Sequence, residues 1–274
     1  MQKPRDLLTK ARTKGNQNLD QYFLMDEEII DRIQEYALEF DCSHILEIGA
    51  GIGNLTSKLM EISKVVIAIE IDPFLVDFLS SEFKEEISRN KLHLIQGDIL
   101  EVQLPPYTVS VSNLPYELSS KILFKLIPNK TPLVLMVQNE FAQRLVAKHN
   151  TPEYGRLTIT AGHYGDIEIM EIIPPSAFNV RPAVESAIIK LTPSEPNYVV
   201  ENEAIFLQLV TAVFTQRRKK MVNALKNTTH ISHIKDPNRI IELADEGIMN
   251  SRPGELTPAN FAKLSNIISN STDN

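Results

Sequence analysis

The chain has 274 residues, of which 43% are hydrophobic and 23% charged, a balance that suits a soluble globular protein with room for one large domain and a smaller one. A formal charge of −7 argues against a protein that grips polyanions over its whole surface. No apolar run approaches the roughly 18 residues of a membrane helix, and a single cysteine, Cys42, excludes an internal disulfide and fits a reducing compartment.

Residues 1–20 carry Lys3, Arg5, Lys10, Arg12 and Lys14 against Asp6 and Asp20 and show no hydrophobic period, which predicts a basic, flexible arm. This start lacks the apolar core of a signal peptide, so a cytoplasmic location is expected. Gln21-Tyr-Phe-Leu24 brings aromatic and apolar side chains ahead of Asp26, a helix cap for the face Ile29, Ile33, Tyr36, Ala37 and Phe40. His44–Ile48 reads as a strand that runs into Gly49-Ala-Gly51-Ile-Gly53 and then a helix. Val65–Ile69 is a second strand ending on Glu70. Asp72-Pro73 starts a helix with Phe74, Phe78, Leu79 and Phe83 expected inward. Leu92–Ile95 is a third strand, ending at Gly97-Asp98-Ile99; 108–112 is a fourth and Leu133–Val137 a fifth.

Strands alternating with helices predict a parallel, doubly wound α/β sheet. Two further strands, Ile167–Ile173 and Ala183–Leu191, have no helix between them and read as an antiparallel hairpin closing the edge, seven strands in all. Pro174-Pro-Ser-Ala-Phe178 between them is a rigid loop expected to display an aromatic. The first large domain is placed at 21–194. A smaller, all-helical domain follows at 195–268, and 269–274 are expected to be disordered. That helical domain carries Arg217, Arg218, Lys219, Lys220 and Lys226 with no acid among 215–226, a second basic island.

The chemistry concentrates in Asn113-Leu-Pro-Tyr116, at the end of the fourth strand, where open α/β sheets place their ligands. Asn113 offers a side-chain carbonyl, Pro115 holds Leu114 extended so that its carbonyl is fixed, and Tyr116 offers a flat face for a base. Two acceptors beside a stacking ring suit methyl transfer to a nucleobase amine. The glycine turn alone does not choose a nucleotide, since several nucleotide-binding folds share it. Position 54, the third small residue of a dinucleotide fingerprint, is Asn, and Glu47 lies where it would repel a pyrophosphate. A sulfonium cosubstrate is cationic and is favoured there. Glu70 is placed to accept the ribose hydroxyls, and Asp98, with Ile99 beside it, the adenine amino group. His230 and His233 have metal-like spacing but no third ligand, so no metal is expected.

With these motifs, Tyr154-Gly-Arg156 and Phe214-Thr-Gln-Arg-Arg-Lys219, the chain resembles the KsgA family of rRNA adenine N6,N6-dimethyltransferases, relatives of the Erm methyltransferases, over residues 17–268. Among them it is most similar to archaeal members. The resemblance implies a class I, Rossmann-like methyltransferase that uses S-adenosylmethionine. It also implies dimethylation of two adjacent adenosines in the 3′-terminal hairpin loop of small-subunit (16S) rRNA, with a role in small-subunit biogenesis. It implies that Gln21, Tyr22 and Leu24 cover the cosubstrate, that Gly49 and Gly51 border it, and that Glu70, Ile71, Asp98 and Ile99 hold its nucleoside. Asn113 and the Leu114 carbonyl, fixed by Pro115, would orient the target N6. Tyr116 and Phe178 would sandwich the base, while Arg217, Arg218, Lys219 and Lys220 contact RNA. Glu117 and Lys121 depart from the amide and proline often found after the tyrosine. A DNA or protein amine methyltransferase, or a mainly non-catalytic assembly factor, are the competing readings; a monomer is expected.

Overall fold

The computed structural model describes residues 3–15 and 21–272. Two compact units emerge, one formed by Met1–Ala142 with Asp166–Pro193, the other by Gln143–Gly165 with Ser194–Asn274.

The first unit is built on a seven-stranded sheet. Its strands are β1 (His44–Ile48), β2 (Val65–Glu70), β3 (Leu92–Gln96), β4 (Val109–Asn113), β5 (Leu133–Gln138), β6 (Gly165–Ile173) and β7 (Ser186–Pro193), in the order β3-β2-β1-β4-β5-β7-β6. The first five are parallel and β7 runs antiparallel to β5. β2 and β5 are short, almost wholly buried apolar runs because helices cover both faces. Ile45, Val66, Val109, Val111 and Leu135 are wholly or almost wholly buried. The order reverses between β1 and β4, so the carboxyl ends of these two strands diverge into a crevice.

The helices of this unit begin with α1 (Pro4–Ala11) and α2 (Glu27–Ala37), the latter capped by the Asp26 carboxylate, which accepts from the Glu28 and Ile29 N–H groups. α3 (Asn54–Ile62) leaves the glycine turn; α4 (Pro73–Glu82), α5 (Lys84–Ser88) and α6 (Ser119–Leu126) follow, and α7 (Asn139–Leu145), which leaves β5, belongs to this unit as far as Ala142.

Two expectations change here. Residues 4–11, expected in a flexible arm, form α1, because Leu7 and Ala11, one turn apart, are both buried in the main core. Residues 1, 2 and 16–20 of that arm lie outside the described residues. Phe74, expected inward, is 55% exposed, since Pro73 opens α4 with Leu75 and Leu79 facing the core instead.

The second unit is all-helical: α8 (Arg156–Gly162), α9 (Glu203–Phe214), α10 (Met221–Asn227), α11 (Thr229–Ser232), α12 (Pro237–Leu243), α13 (Glu246–Asn250) and α14 (Pro258–Thr272). Its core centres on Phe206, Leu209, Val213, Met221, Leu225 and Phe261. The expected boundary at 194/195 omits 143–165, which the structure gives to this unit. Tyr154 is the reason: it is buried, donates from its hydroxyl to the Leu256 carbonyl at 2.8 Å and meets the Phe214 ring edge-on at 6.2 Å. Residues 269–272, expected in a disordered tail, continue α14 to Thr272; residues 273–274 lie outside the described residues.

Candidate active site

The crevice at the strand ends opens into a pocket within the first unit whose space, with the solvent at its mouth included, is about 990 Å³. Thirteen of the fourteen residues expected to catalyse or to hold cosubstrate line it. They come from the 21–24 strap (Gln21, Tyr22, Leu24), the glycine turn (Gly49, Gly51) and the end of β2 (Glu70, Ile71). The turn after β3 gives Asp98 and Ile99, and the end of β4 gives Asn113 through Tyr116.

Each acid is held by backbone. Glu70 is 4% exposed; its Oε2 accepts from the Gly51 N–H at 2.8 Å and its Oε1 from the Ile71 and Asp72 N–H groups, both at 2.9 Å. A carboxylate has about four lone-pair directions, so these three donors orient Glu70 and leave it one strong acceptor site, on Oε2. Burial is the main force raising its pKa, against those N–H bonds. Asp98 Oδ1 accepts from the Leu100 N–H at 2.8 Å, and its carbonyl accepts from Glu101 and Val102. Oδ2 makes no hydrogen bond among the described residues.

Glu47 is 1% exposed, and its Oε2 has no hydrogen-bond partner among the described residues. Burial pushes its carboxyl up to about 8; the nearby Glu70 charge pushes the same way and Thr56 opposes. A carboxyl raised in the folded state stabilises the fold while it stays protonated. That stability is complete below the ordinary value of 4.5 and is lost as pH rises through about 8. Glu47→Gln, neutral at every pH, therefore gains melting temperature over the natural protein as pH rises from about 5 to about 9. A gain that is the same at both ends contradicts the assignment, which thermal melts across that range would test.

Asn113 closes β4 opposite Met136. Its Nδ2 donates to the Tyr22 carbonyl at 3.2 Å. A carbonyl can only accept, so this bond fixes the amide and leaves Oδ1 as the outward acceptor. The Leu114 N–H is used by the Met136 carbonyl at 3.0 Å, whereas the Leu114 carbonyl makes no hydrogen bond among the described residues. Pro115, at φ −60° and ψ 128°, holds this corner open. The Tyr116 hydroxyl is tied to Ser186 Oγ on β7 at 2.5 Å, and its ring stacks on Tyr22 with centroids 5.7 Å apart and planes 19° apart.

Phe178 does not join them. Expected to be displayed as the second face of a base sandwich, it is 5% exposed and is not part of the pocket lining. The cause is a short antiparallel pairing with the strap. Leu24 and Phe178 form a bridge, the Met25 N–H donates to the Ala177 carbonyl at 2.7 Å, and Asn179 bonds both the N–H and the carbonyl of Phe23. The aromatic that faces Tyr116 is Tyr22.

Sequence reasoning missed the residues that support this site. Ser186 anchors Tyr116, and Asn179 clamps the strap. Asn54 Nδ2 donates to the Leu24 carbonyl at 2.6 Å. Lys125 Nζ donates to the Leu100 and Val102 carbonyls at 2.9 and 2.7 Å, pinning the turn behind Asp98. Each acts across a long sequence separation, so no local pattern announces it; only Asn54, standing where a dinucleotide fingerprint has a small residue, left a signal.

A pocket with strand-end acids, a glycine turn and two directed acceptors is the frame of a nucleoside-handling methyltransferase. A model of ribosomal RNA adenine dimethylases matches residues 12–267. The chain belongs to the ribosomal RNA adenine dimethylase family. A probable ribosomal RNA small subunit methyltransferase A of Natronomonas pharaonis is 50% identical over 97% of this chain and 98% of that one. The protein with that same description in Methanosarcina mazei is 43% identical over 96% of each. Among solved structures, a dimethyladenosine transferase from Plasmodium falciparum superposes with a TM-score of 0.74 at 29% identity, covering 88% of this chain and 95% of that one. The 23S rRNA methyltransferase ErmE gives 0.65 at 26% identity, over 90% and 99%. Membership makes this dimethylase a class I methyltransferase that acts on rRNA adenine with S-adenosylmethionine as methyl donor. The pocket fits that donor: the buried Glu47 Oε2 lacks a partner among the described residues, and Glu70 Oε2 and Asp98 Oδ2 are spare acceptors for a nucleoside. Among the described residues no three His, Cys, Asp or Glu side chains are grouped to hold a metal, and no helix is long and apolar enough to cross a membrane.

Proposed function

We propose that this dimethylase transfers two methyl groups to N6 of each of two adjacent adenosines in the 3′-terminal hairpin loop of small-subunit rRNA. On this reading it acts in the cytoplasm, as a monomer, on the immature small subunit during its biogenesis. The observation that carries the reading is the amide of Asn113, whose Nδ2 is spent on the Tyr22 carbonyl, in a pocket that Leu114 and Tyr116 also line. The N6 lone pair of adenine is delocalised into its ring and is a poor nucleophile. Two acceptors that take the N6 hydrogens favour a pyramidal nitrogen with its lone pair directed outward, and they stabilise the positive charge that develops on it. The protonated product is acidic enough to lose its proton to solvent, so no strong base is required. One acceptor still serves a monomethylated amine in the second round.

In this scheme Glu70 Oε2 takes a ribose hydroxyl, Asp98 takes the adenine amino group of the donor, and Gly49, Gly51, Ile71 and Ile99 border it. The strap residues Gln21, Tyr22 and Leu24 cover it. A base held against Tyr116 must be unstacked, as in an RNA loop. Phe178 reaches it only if the strap pairing opens. In the helical unit, Arg217 Nη2 donates to the Thr151 carbonyl at 2.8 Å and is half-buried, so the RNA role falls on the exposed Arg218, Lys219 and Lys220.

Incubating the protein with methyl-labelled S-adenosylmethionine and unmethylated small subunits, duplex DNA or cell protein separates the substrate classes. Label in small-subunit rRNA is expected. Label confined to DNA or protein would overturn the reading.

A further inference from the structure

The basic N-terminal segment reaches the pocket lining at its Lys14–Gly15 end. α1 buries Pro4, Leu7 and Ala11, while Arg5, Arg12 and Lys14 are exposed and form no ion pair among the described residues. Lys10 is different, because it pairs with Glu82. The segment ends against the strap. Asn179 Nδ2 donates to the Lys14 carbonyl at 2.9 Å, and the same side chain accepts from the Phe23 N–H at 2.9 Å through Oδ1. At Gly15 an added Cβ would stand 2.7 Å from the carbonyl oxygen of Gln21, a residue of the pocket lining. One asparagine thus ties the basic segment and the pocket cover together, within the unit that holds Asn113.

We infer that Arg5, Arg12 and Lys14 form a phosphate grip at the rim of the base pocket, holding the single-stranded RNA that flanks the nucleotide entering it. The inference rests on the RNA reading above. When a base enters a closed pocket, its phosphates stay outside, at the rim. Arg5 and Arg12 lie seven residues apart, about 10 Å along a helix, a spacing that lets separate phosphates be held. Asp6 is the only acid among residues 3–15, so the exposed charge here opposes the protein's net −7. The backbone that carries Arg5 and Arg12 is anchored by Leu7 and Ala11, so less chain freedom is lost on binding. The grip positions the strand and carries no sequence information.

The test is the triple variant Arg5→Gln, Arg12→Gln, Lys14→Gln against a control that removes the same charge elsewhere on the unit, Lys64→Gln, Lys84→Gln, Arg89→Gln, all exposed. Binding to unmethylated small subunits is measured from about 50 to 200 mM salt at constant magnesium. Each single-strand phosphate contact contributes about 0.7 to the slope of log affinity against log salt. The first triple is expected to flatten the slope by about 2, losing roughly 20-fold less affinity over that range than the natural protein. Its KM for RNA rises, while kcat and the KM for S-adenosylmethionine hold. An unchanged slope, or the same change in the control, overturns the grip. Absence of rRNA methylation by the natural protein would instead overturn the functional reading.

Discussion

Asn113→Ala keeps its affinity for S-adenosylmethionine and loses about 10²–10³-fold in kcat, the usual cost of removing one directed polar partner of a developing charge. The side chain lies in the pocket, but its donor is spent on the Tyr22 carbonyl, and Glu70 and Asp98, the acids proposed to take the nucleoside, are held without it. Turnover therefore falls while cosubstrate binding stays. Equilibrium binding of the cosubstrate, measured beside single-turnover methylation, separates the two. Loss of binding in step with turnover would remove the proposed role. Asn113→Asp sharpens the test, because a carboxylate oxygen would face the Tyr22 carbonyl with no hydrogen to share. It too is expected to fail in turnover, although it restores an acceptor.

Gly53→Ala is expected to cost about 2–5 kcal/mol of stability. The left-handed backbone contributes roughly 1–2 kcal/mol for any residue with a Cβ, and overpacking typically 1–3 kcal/mol more. Both apply here: φ is +84°, and the new methyl would stand 2.5 Å from Phe83 Cε2 and 2.9 Å from Leu79 Cδ2, both buried. In a chain of this size the melting temperature should fall by about 5–15 °C. Gly51→Ala is a useful contrast. There φ is +60°, and the methyl would meet the Phe23 ring at 3.1 Å, so the strap over the pocket must shift. Its expected signature is weakened cosubstrate binding with a smaller loss of stability. Thermal melts and equilibrium binding on both variants decide the matter; a Gly53→Ala protein that melts with the natural one would contradict the packing account.

The sheet was legible because strands such as Val65–Glu70 are short apolar runs closed by a glycine or an acid, and burial on both faces forces that pattern. The pocket was legible for the same reason: acids and the Asn-Leu-Pro-Tyr turn at strand ends must converge once the strands are parallel. What stayed hidden depends on distant partners. α1 shows only Leu7 and Ala11 as anchors within a basic stretch, too little for a period, yet the burial of Leu7 contributes about 1.5–3 kcal/mol. Tyr154 belongs to the helical unit through Leu256, a hundred and two residues away. Phe178 carries an aromatic on a proline-rich loop, which reads as display, and nothing local reveals that the strap pairs with that loop and covers it. The amide orientation of Asn113 is of this kind too, since the Tyr22 carbonyl that sets it lies ninety-one residues earlier.

The central claim, that this pocket presents adenine N6 for two successive methylations, is tested most directly by nucleoside analysis of small-subunit rRNA after incubation of unmethylated subunits with the protein and S-adenosylmethionine. The account predicts N6,N6-dimethyladenosine at two adjacent positions near the 3′ end, absent with the Asn113→Ala protein. Methyl groups on another base, on another atom of adenine, or stalled at a single N6 methyl would contradict it.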